Sequence, residues 1–289
     1  MGFVAGEIAK KHHPWLRISA AESQGYAHNL KFHGTHPEMW KDTIIGTDPA
    51  SLWLGRHGLP PIDEKIVGYK MLWFNEGVLP FLVTLDPNLK SVYDLVGKKI
   101  AVGYRGQILV GDHPWRLLDA EGLADQIEIS FVGPMAAMRA LIDGLVDACI
   151  SWIVYDPETW LVRPPPQFIE LVGTGKKLYY ISLEPCIDAV VTKGYPTFPV
   201  KAPAGAWEHL EEDMVFSYWG GGAGCKDVFP EELAYELVKF HLDYYKEMGE
   251  YHSMLELFSP GLFTFGQTKK TLHPGAIRAY EEAGLVIPD

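Results

Sequence analysis

The chain has 289 residues, 47% of them hydrophobic, with a mean hydropathy near zero, enough to bury one large or two modest cores. Its net charge of −12 and the lack of any Lys/Arg-rich run exclude a nucleic-acid partner, because a polyanion requires a basic face. No apolar run approaches the roughly 20 residues that span a bilayer, and MGFVAGEIAKKHH lacks a secretory leader pattern. Cys149, Cys186 and Cys225 lie far apart without a C-x-x-C, so neither a zinc knuckle nor a disulfide framework is indicated, and one disulfide plus a free thiol stays open.

Residues 3–11 read as a helix that ends in Lys10, Lys11, His12 and His13 before Pro14. An α/β domain normally sets a strand and turn before such a helix, so the expectation is a trimmed start that leaves one sheet edge unpaired. Leu16 to Ala21 alternates as a strand. A polar turn, Glu22 to Gly25, then leads to a helix from Tyr26 with Ser23 as its cap. Thr43 to Gly46 reads as a strand and Asp48 to Gly55 as a short helix. Ile66 to Phe74 and Val78 to Leu85 read as two strands, with Asn75, Glu76 and Gly77 as the turn between them.

The central stretch runs from Tyr93 to Gly122. Ile100, Ala101 and Val102, between Gly97 and Gly103, form a short apolar strand buried on both faces. Gly103 and Gly106 allow a tight turn, while Arg105 and Gln107 bring a fixed positive charge and an amide into it, a composition suited to reading an anion. The same composition suits an ordinary strand-loop-helix unit, and no G-x-x-x-x-G-K-[ST] or G-x-G-x-x-G string is present. Asp112 reads as an N-cap and Pro114 as a first-turn residue of a helix from His113 to Glu121.

A strand over Ile127–Val132, a helix over Pro134–Leu145 and a buried strand over Asp147–Val154 follow, with Trp152 and Tyr155 as candidates to pack on a small ligand. Arg163 to Pro166 is a stiff connection, and Phe168–Val172 and Leu178–Ile181 read as short strands. Tyr195 to Pro203 reads as an extended crossing segment. Met214–Trp219 is a strand that Gly220 to Gly224 ends in a flexible turn. Helices over Pro230–Met248 and His273–Gly284 close the chain.

Strands alternating with helices define an α/β protein, and the proline-rich return gives two lobes: residues 1–93 with 206–289, and 94–205 inserted between. Ligand is then expected in a cleft between lobes, at strand ends and helix N-termini. Three stretches, GKKIAVG at Gly97–Gly103, AMRALIDGLVDA at Ala137–Ala148 and above all LHPGAIRAYEEAG at Leu272–Gly284, resemble the TAXI-family solute-binding proteins of TRAP transporters.

The resemblance implies a two-lobed type II periplasmic-binding-protein fold and a monomeric, extracytoplasmic receptor without cofactor, metal or catalytic residue. It would hand a small organic anion, a carboxylate or an amino acid, to a TRAP-type permease. By position it implies a ligand site of Ser23, Asn29, Arg105, Gly106, Gln107, Trp152 and Tyr155. The sequence departs from the family in starting after the first strand and its Tyr-bearing turn, and in carrying Gln107, Ile108 and Leu109 where the family has Ser-Gly-Thr. The competing reading is an enzyme that uses Cys225, exposed on its glycine loop, or a metal on His33 and His36.

Overall fold

A computed structural model describes residues 2–289. In chain order the elements are α1 (Gly2–His12), α2 (Tyr26–Gly34), β1 (Ile45–Thr47), α3 (Pro49–His57), β2 (Tyr69–Thr84), β3 (Lys99–Val102) and α4 (His113–Ala120). Next come β4 (Glu128–Phe131), α5 (Pro134–Ile142), β5 (Ala148–Tyr155), β6 (Val162–Arg163), α6 (Pro166–Gly173), β7 (Tyr179–Ile181), α7 (Ile187–Val191) and β8 (Pro199–Ala202). The last are β9 (Met214–Ser217), β10 (Trp219–Lys226), α8 (Glu231–Gly249), α9 (Pro260–Thr264) and α10 (Pro274–Glu282). The protein is α/β, as expected, and no described helix is long and apolar enough to cross a membrane.

Two compact units divide the chain: one of residues 1–77, 156–161 and 220–289, the other of residues 78–155 and 162–219. These boundaries differ from the expected 93/94 and 205/206, and pairing explains why. The end of β2 pairs with β7 (Leu82 with Ile181) and β9 pairs with β8 (Val200 with Phe216), so both segments belong to the second unit. Asp156 to Leu161 belongs to the first because Ser259 Oγ donates to Asp156 Oδ1 at 2.6 Å and the Gly261 N–H to Glu158 Oε2 at 3.1 Å.

In the first unit β1 pairs antiparallel with β10, Ile45 opposite Gly224 and Thr47 opposite Gly222, and β10 lies beside β2. The glycines 220–224 are therefore buried strand rather than a turn. A Cβ on Gly222 would stand 2.0 Å from the Trp73 carbonyl oxygen, and one on Gly224 would stand 2.7 Å from Thr47 Cγ2. Glycine is required there by the approach of neighbouring backbone, which local sequence does not announce. Asn75 to Gly77 is likewise strand, since β2 runs unbroken for 16 residues. Leu16 to Ala21 joins no strand; it lies along α1, whose Gly2 and Gly6 leave room for Ala20 and the Ile18 carbonyl.

The LHPGA string is a packing device of this unit. The His273 N–H bonds the Met71 carbonyl at 2.9 Å, His273 Nδ1 accepts from the Gly275 N–H at 3.2 Å, and Pro274 opens α10. A Cβ on Gly275 would lie 2.2 Å from the Glu231 carbonyl oxygen, so that glycine lets α10 sit against α8. Trp73 and His241 stack at 3.9 Å in the core beneath.

In the second unit β3 lies parallel between β4 and β5, with Val102 opposite Phe131 and Ile100 opposite Ala148. Its core holds an aromatic cluster in which Phe81 meets Tyr180 edge-on at 5.0 Å and stacks on Trp207 at 5.9 Å. Residues 168–172, expected as a strand, belong to α6: Pro166 stands at its first turn, and Phe168 and Leu171, three apart, are buried on one face.

Candidate functional site

The loop after β3 is built by two close approaches. A Cβ on Gly103 would stand 2.3 Å from Val110 Cγ2, and one on Gly111 only 2.0 Å from the Tyr104 carbonyl oxygen. The Gly103 N–H bonds the Val110 carbonyl at 2.7 Å, and the Gln107 N–H closes a turn on the Tyr104 carbonyl at 2.8 Å. Gln107 Oε1 accepts from the Tyr104 N–H at 3.1 Å, and its carbonyl accepts from the N–H groups of Gly111 and Asp112. Gly106 needs no special conformation; a Cβ there would have no atom within 4 Å.

Asp112 is not the expected cap. A π-helical turn, Ile108–Asp112, runs directly into α4, so the helical segment starts five residues earlier, after Gln107. The Asp112 carboxylate instead accepts from Arg116 Nε at 2.5 Å. Burial pushes the Asp112 pKa up, and Arg116 first, then Arg105, oppose that rise. The guanidinium carbon of Arg105 lies 4.3 Å from the Phe131 ring centroid and 4.8 Å from that of Trp115, while Arg116 lies 5.6 Å from Trp115. Two arginines, one buried carboxylate and two aromatic rings thus surround a short glycine loop, with net positive charge.

Arg105, Gly106 and Gln107 stand together in one exposed turn. Trp152 is half-buried in β5; Tyr155, at the end of that strand, is fully buried and meets Tyr218 edge-on at 6.5 Å. Ser23 and Asn29 belong to the first unit. Ser23 is exposed and does not cap α2, whose N-cap is Gly25 at φ +110°; Asn29 Nδ2 donates to the Gly46 carbonyl at 2.8 Å. Sequence reasoning missed Trp115, Arg116 and Phe131. Phe131 ends the strand parallel to β3, and residues at adjacent strand ends share one loop cluster, a signal that was available.

The first unit carries an acid pair. Asp48 caps α3, its Oδ1 accepting from the Ser51 N–H at 2.8 Å and its Oδ2 from Ser51 Oγ at 2.5 Å, and it is fully buried. Tyr26 Oη donates to Glu76 Oε1 at 2.5 Å. Burial raises the Asp48 pKa to about 7 and also raises that of Glu76, whose charge adds to the effect on Asp48.

The enzyme candidates are dispersed. Cys225 lies in β10 with no exposed surface, and burial pushes its thiol pKa up rather than toward a thiolate. Cys149 and Cys186 are also free and buried, with pKa pushed up to about 12. His33 is buried with Nδ1 2.7 Å from Tyr69 Oη, whereas His36 is half-buried with Nδ1 2.6 Å from the Phe32 carbonyl, so the two do not share a ligand position. Among the described residues no three His, Cys, Asp or Glu side chains converge on a metal position.

Residues 69–284 match the model of the NMT1-like family. Among solved structures, the periplasmic aliphatic sulphonate binding protein of Escherichia coli aligns at 15% identity over 97% of this chain and 79% of its own, with a TM-score of 0.49. A structural-genomics protein from Archaeoglobus fulgidus aligns at 14% identity over 99% of this chain and 95% of its own, TM-score 0.47. A periplasmic substrate-binding protein of a Coxiella burnetii ABC transporter aligns at 13% identity over 88% and 91%, TM-score 0.39.

Proposed function

Since the chain belongs to the NMT1-like family, we propose that it is a solute receptor that binds a small organic anion through the loop after β3. The observation that carries the reading is Arg105. Its guanidinium is exposed yet steadied by Phe131 and Trp115, at the head of a helical segment whose first N–H groups have no carbonyl within the helix to bond. A protein of net charge −12 repels an anion at long range, so a local cation has to provide the attraction. Arg105 meets one end of the ligand together with the Gly106 N–H and the side-chain amide N–H of Gln107; Trp152 packs on its body.

The finer reading is an extracytoplasmic receptor whose ligand is a carboxylate or amino acid and whose partner is a TRAP-type permease, and the LHPGA string supports it. Two of the solved structures above are a sulphonate binding protein and a substrate-binding protein of an ABC transporter, so a sulfonate ligand and an ABC permease are the alternatives to separate. Native mass spectrometry of the protein as purified, followed by thermal shift with carboxylates, sulfonates and amino acids, tests the reading. An anion at about 100 times its Kd should add about 2.7 kcal/mol and raise Tm by several degrees. A cationic ligand, or turnover of whatever binds, would overturn it.

A further inference from the structure

Tyr104 stands immediately before Arg105 in the loop after β3, and its side chain is 57% exposed, which leaves more than half of a large ring in solvent. Its backbone is held at three points. The N–H donates to Gln107 Oε1 at 3.1 Å, and the carbonyl accepts from the Gln107 N–H at 2.8 Å. Gly111 packs against that same carbonyl, where a Cβ would stand only 2.0 Å away.

The ring itself rests on another glycine. A Cβ on Gly133, between β4 and α5, would lie 3.3 Å from Tyr104 Cε2 and 3.4 Å from its Oη. Gly133 has φ −65° and ψ 152°, a backbone that any residue adopts, so conformation does not call for glycine there. Room for the tyrosine ring does. Phe131, two residues earlier, is the ring beneath the Arg105 guanidinium, so the junction of β4 and α5 seats both side chains of the loop. Met135, in the first turn of α5, adds exposed apolar surface to that junction.

An aromatic side chain with only two rotatable bonds, already seated and still open to solvent, loses little freedom when a flat group stacks on it. The neighbouring cation fixes where the charge of that group lies. We infer, resting on the reading that Arg105 meets an anion, that Tyr104 is a specificity residue of the same site and that the ligand's body is a flat, conjugated ring. The class is an aromatic carboxylate or sulfonate, whose ring stacks on Tyr104 while its charged group meets Arg105. A saturated anion of the same size reaches the same cation without the stacking.

Calorimetry on the full chain with two matched pairs, benzoate against cyclohexanecarboxylate and benzenesulfonate against cyclohexanesulfonate, tests this. Burial of apolar area alone favours the saturated ring, so a preference for the flat one isolates stacking. A preference of about fivefold is expected in whichever pair binds. Tyr104→Leu keeps the backbone bonds to Gln107 and removes an exposed ring; it should erase the preference while the saturated anion binds within about threefold of wild type. Tyr104→Phe should keep the preference, and Gly133→Ala, which crowds the ring off its seat, should lower it. Equal affinity within both pairs, or a preference that survives Tyr104→Leu, would overturn the inference and leave the anion reading standing. Equal loss of flat and saturated anions in Tyr104→Leu would overturn it too, by showing that the ring only supports the loop. If none of the four binds, the inference falls, and the Arg105 variants decide the anion reading separately.

Discussion

The two units use the same residue types for opposite purposes. In the first, glycines sit inside a buried strand because β2 backbone passes against them; in the second, Gly103 and Gly111 are buried at the base of an exposed turn, where they let the chain fold back on itself. The acids contrast in the same way. Asp48 is buried with hydroxyl and N–H partners but no cation, whereas Asp112 is held by Arg116 with Arg105 nearby. The first unit buries its acids without a counter-charge, and the second leaves the Arg105 charge at the surface.

Gly222→Ala should break the contrast most severely. Its Cβ meets Trp73 O at 2.0 Å and Phe74 Cα at 2.7 Å, backbone atoms in the middle of a long strand that cannot retreat. A loss above about 3 kcal/mol is expected by denaturant unfolding, at the upper end of overpacking costs. A loss under about 1 kcal/mol would mean that β10 is free to shift.

Asp48 sharpens the contrast through pH. Its folded pKa, about 7, lies above its unfolded value near 4, so the native state holds the extra proton between them. Stability therefore falls as pH rises from about 4 to about 7, by a few kcal/mol at most. Asp48→Asn keeps a good N-cap and should flatten much of that slope, leaving the part due to Glu76. An unchanged slope in urea titrations across that range would show that Asp48 ionises freely in the folded protein.

Gly111→Ala should cost less than Gly222→Ala, about 1 to 3 kcal/mol, because the Tyr104 carbonyl it strikes belongs to a loop that can yield. Anion affinity should fall with it, since the turn that carries Arg105 must move. Gly106→Ala is the smallest effect: with open space around its Cβ, stability should change by under about 0.5 kcal/mol. A larger change would show a contact at Gly106 that its surroundings do not contain.

Elements defined by local pattern were legible in the sequence. The strands around Ile100 and Ile129, the helix at Pro114 and the helix opened by His273 and Pro274 all carried their own punctuation. What escaped depended on distant partners. Gly220 to Gly224 looks like a turn until Trp73 is placed beside it, and Asn75 to Gly77 looks like a turn until Tyr26 bonds Glu76 within the strand. Phe168 to Val172 was misread because its apolar run outweighed the prolines that start α6. At the candidate site the turn with Arg105 was legible, whereas its ring partners Trp115 and Phe131 came together only through the parallel register of β3 and β4.

Calorimetry on Arg105→Ala and Arg105→Lys, with the ligand that copurifies with the wild-type chain, tests the central claim most directly. Arginine can grip an anion with two charge-assisted hydrogen bonds, and lysine cannot reproduce that geometry. Removing such a contact costs on the order of 2 to 5 kcal/mol. Affinity should therefore drop by about 30-fold or more in the alanine variant and by less in the lysine variant, while the ligand-free alanine variant loses only about 1 kcal/mol with its ring contacts. Unchanged affinity in both would contradict the account and move the anion away from the loop after β3.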